Sequence, residues 1–113
     1  MVIVFGIKNC DSVKKACHWL NNHNIDYQFH DFRKDGLNQA KVKSWMKQVE
    51  WQSLLNKRST TWRKLPDQDK DNINNTNVVK LMTVQPALIK RPVIEVNDKI
   101  IVGFSEKIYK DSF

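Results

Sequence analysis

A chain of 113 residues, 41% of them hydrophobic, has room for one modest core and is read as a single domain. Nineteen basic against twelve acidic residues leave a net charge of +7, which suits an anionic partner: nucleic acid, an acidic protein surface or a small anion. The basic residues are scattered rather than blocked, so direct nucleic-acid binding is disfavoured, and no apolar run reaches the ~20 residues of a membrane span.

"MVIVFG" is too short for a secretory signal and lacks its charged start and cleavage site, so a cytoplasmic chain is expected. Val2 to Phe5 is a β-branched apolar run closed by Gly6, the pattern of a buried strand. A helix follows to about Asn22, capped by Asp11 or Ser12, with Val13, Ala16, Cys17 and Leu20 on its apolar face. Cys17 is therefore assigned to the core. "IDYQFHDF" alternates apolar and polar residues like a second strand, which completes a strand–helix–strand unit.

After the turn "RKDGLNQ" the chain is helical in character. "NQAKVKSWMKQV" places Ala40, Val42, Trp45, Met46 and Val49 toward one side. Shorter helices are expected in "EWQSLLN", in "TTWRKL" with Trp62 as a core anchor, and in "TNVVKLMTV" capped by Thr76 or Asn77. The polar "PDQDKDNINNTN" carries no expectation of a long regular element. "RPVIEV" and "IIVGF" then form strands joined by a turn at "NDK", and "SEKIYKDSF" closes as a helix capped by Ser105.

The order is βαβ, a helical segment, then ββα. Its simplest solution is an α/β fold with one four-stranded mixed sheet covered by helices. The two outer parts span about 1–32 and 86–113, and the helical insertion spans about 33–85. Cys10 then lies where the first strand ends and the first helix begins. Main-chain N–H groups there, near Asp11 and Ser12, and the positive end of the helix dipole favour a thiolate. On one helix Cys10 and Cys17 would stand about 10 Å apart along the axis, too far for a disulfide without unwinding. Two unpaired thiols point to a reducing compartment, and the spacing of His18, His23 and His30 suggests no metal site.

"GIKNCDSVKKACHWL", "YQFHDFRKDGL", "LLNKRSTTWRKL", "PALIKRPVIEV" and "VGFSEKIYKDSF", in this order, resemble the arsenate-reductase-like (ArsC)/Spx family, most closely its YffB branch. The resemblance covers nearly the whole chain. It implies a thioredoxin-like fold with an inserted helical segment, Cys10 as the nucleophile, Arg91 as an oxyanion-binding arginine and Pro92 as the cis-proline facing the cysteine. Arsenate reductases carry an arginine where this chain has Asn56; Arg58, two positions on, matches the YffB and Spx branches. Their third arginine falls near Gly103. Spx regulators use a CxxC switch and contact RNA polymerase, but here Val13 stands in place of the second cysteine.

These features lead to the expectation of a glutathione-dependent thiol–disulfide oxidoreductase with one nucleophilic cysteine. Glutathione is the expected co-substrate and glutaredoxin a further candidate partner; no bound cofactor or metal is expected. Arg91, Arg58 and Lys8, with Arg63 as a further candidate, supply positive charge for its carboxylates, and Asp11 and Ser12 complete the anion-binding set. Arsenate reduction and an Spx-like, polymerase-binding regulator are the alternatives.

Overall fold

A computed structural model describes all 113 residues. The chain divides into two compact units, Met1–Gly36 with Arg91–Phe113, and Leu37–Lys90. The helical unit therefore begins and ends a few residues later than the hydrophobic pattern suggests. The turn after residue 31 stays with the first unit because the Phe32 N–H donates to the Gly6 carbonyl at 2.9 Å. The residues after Gln85 stay with the helical unit because Lys90 N–H donates to Leu54 O, and Asn56 N–H to Leu88 O, each at 2.7 Å.

The first unit holds the four strands β1 (Val2–Gly6), β2 (Gln28–Asp31), β3 (Val93–Val96) and β4 (Lys99–Val102), with helices α1 (Asp11–Asn22) and α7 (Glu106–Ser112). Sheet order is β2-β1-β3-β4, with β1 parallel to β2 and antiparallel to β3, and β3 antiparallel to β4. The sheet is therefore mixed, and the α/β, thioredoxin-like arrangement expected from the sequence is the one observed. The two interior strands, β1 and β3, are the more deeply buried, since a strand flanked on both sides has no solvated edge. Val4 pairs with Ile94 in the β1–β3 register, and both are fully buried. They join Val13, Ala16, Trp19 and Leu20 of α1 and Tyr109 of α7 in one core cluster. Phe5 and Val93, one step along each strand, point to the opposite face and are also buried.

Local differences from the sequence pattern have identifiable causes. β2 is only four residues long, because the Ile25 N–H is used to close α1, donating to Leu20 O at 3.0 Å. Cys17 is half-buried at the edge of the core cluster rather than within it. The β3–β4 turn is Asn97–Asp98 alone, with Asn97 at φ 56°, a left-handed conformation that asparagine tolerates.

The second unit contains α2 (Gln39–Met46), α3 (Trp51–Leu54), α4 (Thr60–Lys64), α5 (Asp67–Asp71), α6 (Asn77–Val84) and a 3-10 turn at Pro86–Leu88. Its core includes Val42, Trp45, Leu54, Val78, Val79, Met82, Leu88 and Ile89. Ala40, expected on the apolar side of α2, is exposed, because the short helix turns only Val42 and Trp45 fully inward. Trp62 is not a core anchor: it is half-buried, with Lys57 Nζ and Lys70 Nζ 5.7 and 5.6 Å from its ring centroid. "PDQDK" does form a short helix, and neither Thr76 nor Asn77 caps α6 by its own side chain. Asn74 Oδ1 instead accepts from the N–H groups of Thr76 and Asn77, both at 2.9 Å. No helix is long and apolar enough to cross a membrane.

Candidate active site

β1 ends at Gly6, and its lack of a side chain brings the start of α1 close. A Cβ built there would lie 2.7 Å from Val13 Cγ2. Buried Ile7 and the exposed turn Lys8–Asn9 complete the connection. Cys10 follows in extended conformation, φ −107° and ψ 126°, as the N-cap of α1. This corrects the expected caps: Asp11 and Ser12 lie inside the helix, and the residue at the boundary is the cysteine itself. The Cys10 carbonyl accepts the first helical hydrogen bond, from Lys14 N–H at 3.0 Å.

An N-cap side chain faces the main-chain donors of the second and third helical residues, which here are Ser12 and Val13. The donors bearing on the thiol are thus those of Ser12 and Val13, shifted by one residue from the pair expected near Asp11 and Ser12. A sulfur atom does not make the short cap bond of a serine or asparagine, but it gains from the same oriented dipoles when ionised. Burial by itself pushes the Cys10 thiol up. That effect is outweighed by hydrogen bonding from Val13 N–H, from the Arg91 side chain and from Ser12 N–H, with the Arg91 charge adding to them. The net result is a thiol held below its ordinary range.

Arg91 is half-buried at the point where the chain re-enters the first unit. It precedes buried Pro92, and the Arg91–Pro92 peptide bond is cis. The Pro92 carbonyl accepts from Gly103 N–H at 2.7 Å, and the Gly103 carbonyl accepts from the Tyr109 hydroxyl at 2.8 Å. Lys8 and Asp11 are exposed on either side of the cysteine. Arg58 belongs to the helical unit, as does Arg63, and both are exposed. The Arg58 N–H donates to Asn56 Oδ1 at 3.1 Å, so Asn56 organises the turn that carries Arg58.

Both cysteines are free. Cys17 sits within hydrogen-bonding reach of the Tyr27 hydroxyl; burial first, then Cys17, pushes that phenol up, with Asn21 opposing. The roles of the Val13 main chain and of Gly6 in the site are not evident from the motif, although both residues lie within it. A glycine closing a strand four residues before a cysteine is the only local signal of the second.

A family model, ArsC family, matches residues 5–112. The chain belongs to the ArsC family. The ArsC resemblance read from the sequence, and its nearness to YffB, both hold. A solved structure named YffB protein shares 37% identity at a TM-score of 0.94, covering 98% of this chain and 97% of that one. A protein of Haemophilus influenzae is 46% identical over 113 residues, which is 100% of this chain and 99% of its own length. The global transcriptional regulator Spx of Streptococcus mutans is 30% identical over 108 residues, covering 94% of this chain and 78% of Spx. Both ArsC-family and Spx relationships thus extend over the region that carries Cys10 and Arg91.

Proposed function

We propose that this ArsC-family chain is a cytoplasmic, glutathione-dependent thiol–disulfide oxidoreductase that works through Cys10 alone. The observation that carries this reading is the thiol at the N-cap of α1, faced by two main-chain N–H groups and hydrogen-bonded by Arg91. A thiolate so supported is the nucleophile of disulfide exchange. Val13 denies it a resolving thiol one turn away, and Cys17 lies two turns along the same helix.

On a glutathionylated substrate, the Cys10 thiolate attacks the glutathione sulfur. A bond forms between Cys10 Sγ and that sulfur, and the substrate leaves as its thiolate. A second glutathione, as thiolate, attacks the glutathione sulfur of the mixed disulfide. It releases oxidised glutathione and restores the Cys10 thiolate. In net terms the substrate sulfur is reduced from disulfide to thiolate and the incoming glutathione sulfur is oxidised in its place, while the first glutathione sulfur stays at the disulfide level. A glutaredoxin thiol is the alternative resolving group to free glutathione. Arg91 is suited both to the leaving thiolate and to a glutathione carboxylate, which a guanidinium binds through two parallel hydrogen bonds. Lys8 and Asp11 N–H are assigned to the same anion, and Arg58 is assigned to it on the family resemblance alone.

The test is formation of the mixed disulfide with oxidised glutathione, followed by mass spectrometry from pH 4 to 9. Rapid adduct formation at Cys10, lost in Cys10→Ser and kept in Cys17→Ser, supports the reading. A slow reaction that rises only near the ~8.5 of an ordinary thiol overturns it.

The relationship to Spx favours a second reading, a regulator that binds RNA polymerase. Its CxxC switch has no counterpart at Val13, so redox control of that kind is absent from this reading. Capture of polymerase by the purified chain distinguishes the two. Arsenate reduction is weaker still, because Asn56 and Gly103 stand where arsenate reductases have arginines. Arsenate turnover supplied with glutathione and glutaredoxin tests it.

A further inference from the structure

We propose that Tyr109 is a positioning residue for the Cys10–Arg91 pair, acting through Gly103 and Pro92. The proposal rests on Cys10 being the reactive thiol of the function proposed above, and extends it to a residue on a different helix. Tyr109 has no solvent exposure. Its hydroxyl donates to Gly103 O at 2.8 Å, and the N–H of that same glycine donates to Pro92 O at 2.7 Å. Pro92 is bonded to Arg91, whose side chain reaches the Cys10 thiol. One continuous path of hydrogen and covalent bonds therefore links α7 to the site.

The other end of Tyr109 is held from the cysteine's own helix. Its ring meets Trp19 of α1 edge-on, with centroids 5.4 Å apart and planes at 81°. Phe104 and Phe113 complete the enclosure at 5.1 and 5.8 Å. Tyr109 thus touches both the helix that presents Cys10 and the turn that fixes the approach of Arg91. Core packing alone explains an aromatic ring here, but not the hydroxyl. A phenylalanine would fill the same space and leave the Gly103 carbonyl without its donor. Burial, and then Cys17, push the phenol above the usual tyrosine range, so it stays a donor throughout the pH range of thiol chemistry. From outside α1, Arg91 is the charged side chain acting on Cys10; Lys8 and Asp11 flank it in sequence and are exposed.

The experiment is the pH dependence of Cys10 alkylation by iodoacetamide in the Cys17→Ser protein, with and without Tyr109→Phe. The same comparison is then made in an Arg91→Ala background. The expected result is an upward displacement of the Cys10 profile in Tyr109→Phe and a rate about threefold lower on its acidic limb, the scale of one lost hydrogen bond. With Arg91 already removed, Tyr109→Phe should displace nothing further. An unchanged profile in Tyr109→Phe, or an equal displacement in both backgrounds, overturns the proposal. Should Tyr109→Phe not fold, the Gly103 amide resonance of the otherwise intact chain decides. It should be slow to exchange and should follow the Cys10 titration; fast exchange and indifference to that titration overturn the proposal. A wild-type profile at the ordinary thiol position would instead defeat the function proposed above, whereas the Tyr109 comparison is judged on the difference between proteins.

Discussion

Arg91 donates to the thiol of Cys10, although the two are far apart in the sequence. The contact exists because β1 and β3 are neighbours in the sheet. The end of β1 delivers Cys10, and the start of β3 delivers Arg91, at the same edge of the unit. Phe5 pairs with Val93, so each strand needs only a few more residues to bring the two side chains together.

Arg91→Ala removes both a hydrogen bond to the thiolate and a positive charge. Alkylation of Cys10 below its titration midpoint should fall roughly tenfold, the range expected for a hydrogen bond to a charged group. Arg91→Lys keeps the charge but loses the planar fork, and should recover only part of the rate. A pH–rate profile for Cys10 in each variant checks this. Equal profiles in wild type and Arg91→Ala would remove Arg91 from the site.

Stability should depend on pH through the same group. The folded protein holds the Cys10 thiol below its unfolded value, against the opposing effect of burial. The folded state therefore releases the proton first as pH rises. The contribution is absent below the folded titration point, grows between the two values, and is fully present above the unfolded one near ~8.5. Wild type should gain on Cys10→Ser as pH rises through that window. The comparison is urea unfolding of both proteins at a series of pH values under reducing conditions. A constant difference across the window would contradict it.

Much of this arrangement is legible in the sequence itself. The β-branched run Val2–Phe5 and the pattern Val13, Ala16, Leu20 specify their elements locally, because burial on one face imposes a period the sequence must carry. The cap of α1 is less legible: aspartate and serine are better caps than cysteine, and propensity alone favours them. What overrides propensity is the tight joint between Gly6 and Val13, a tertiary constraint. The short helices of the insertion depart from their sequence pattern for a similar reason. Ala40 fits the apolar period of α2, yet eight residues form little more than two turns, and only Val42 and Trp45 are carried fully inward. Nothing in the sequence near Arg91 reveals Tyr109, which meets its network only through strand pairing and the Gly103 turn.

Gly6→Ala tests that joint. The added methyl would meet Val13 Cγ2 at 2.7 Å, so either the valine or the first turn of α1 must move. Overpacking of this kind costs about 1–3 kcal/mol. Denaturant unfolding should show that loss, and Cys10 alkylation should slow because Val13 N–H moves with the helix. Gly6→Ala with Val13→Ala should restore the Cys10 profile, while stability stays below wild type because Val13 is itself buried in the core. A destabilised Gly6→Ala protein with an unaltered Cys10 profile would mean that the joint supports the fold without tuning the thiol.

Gly103→Arg asks whether the arginine of arsenate reductases can simply be returned. Space is not the obstacle, since nothing lies within 4 Å of a Cβ at this position. Backbone conformation is: Gly103 has φ +83°, where an L side chain costs about 1–2 kcal/mol. The substitution should lower stability by that amount. Relaxation of the turn would also disturb the Gly103 N–H bond to Pro92 and the Tyr109 bond to Gly103, both of which need the present backbone. Cys10 should therefore become less reactive, and arsenate turnover with glutathione and glutaredoxin should not rise. Unfolding curves and the two rate measurements decide it together. A stable Gly103→Arg protein that gains arsenate turnover would show that the missing arginine alone separates this chain from arsenate reduction.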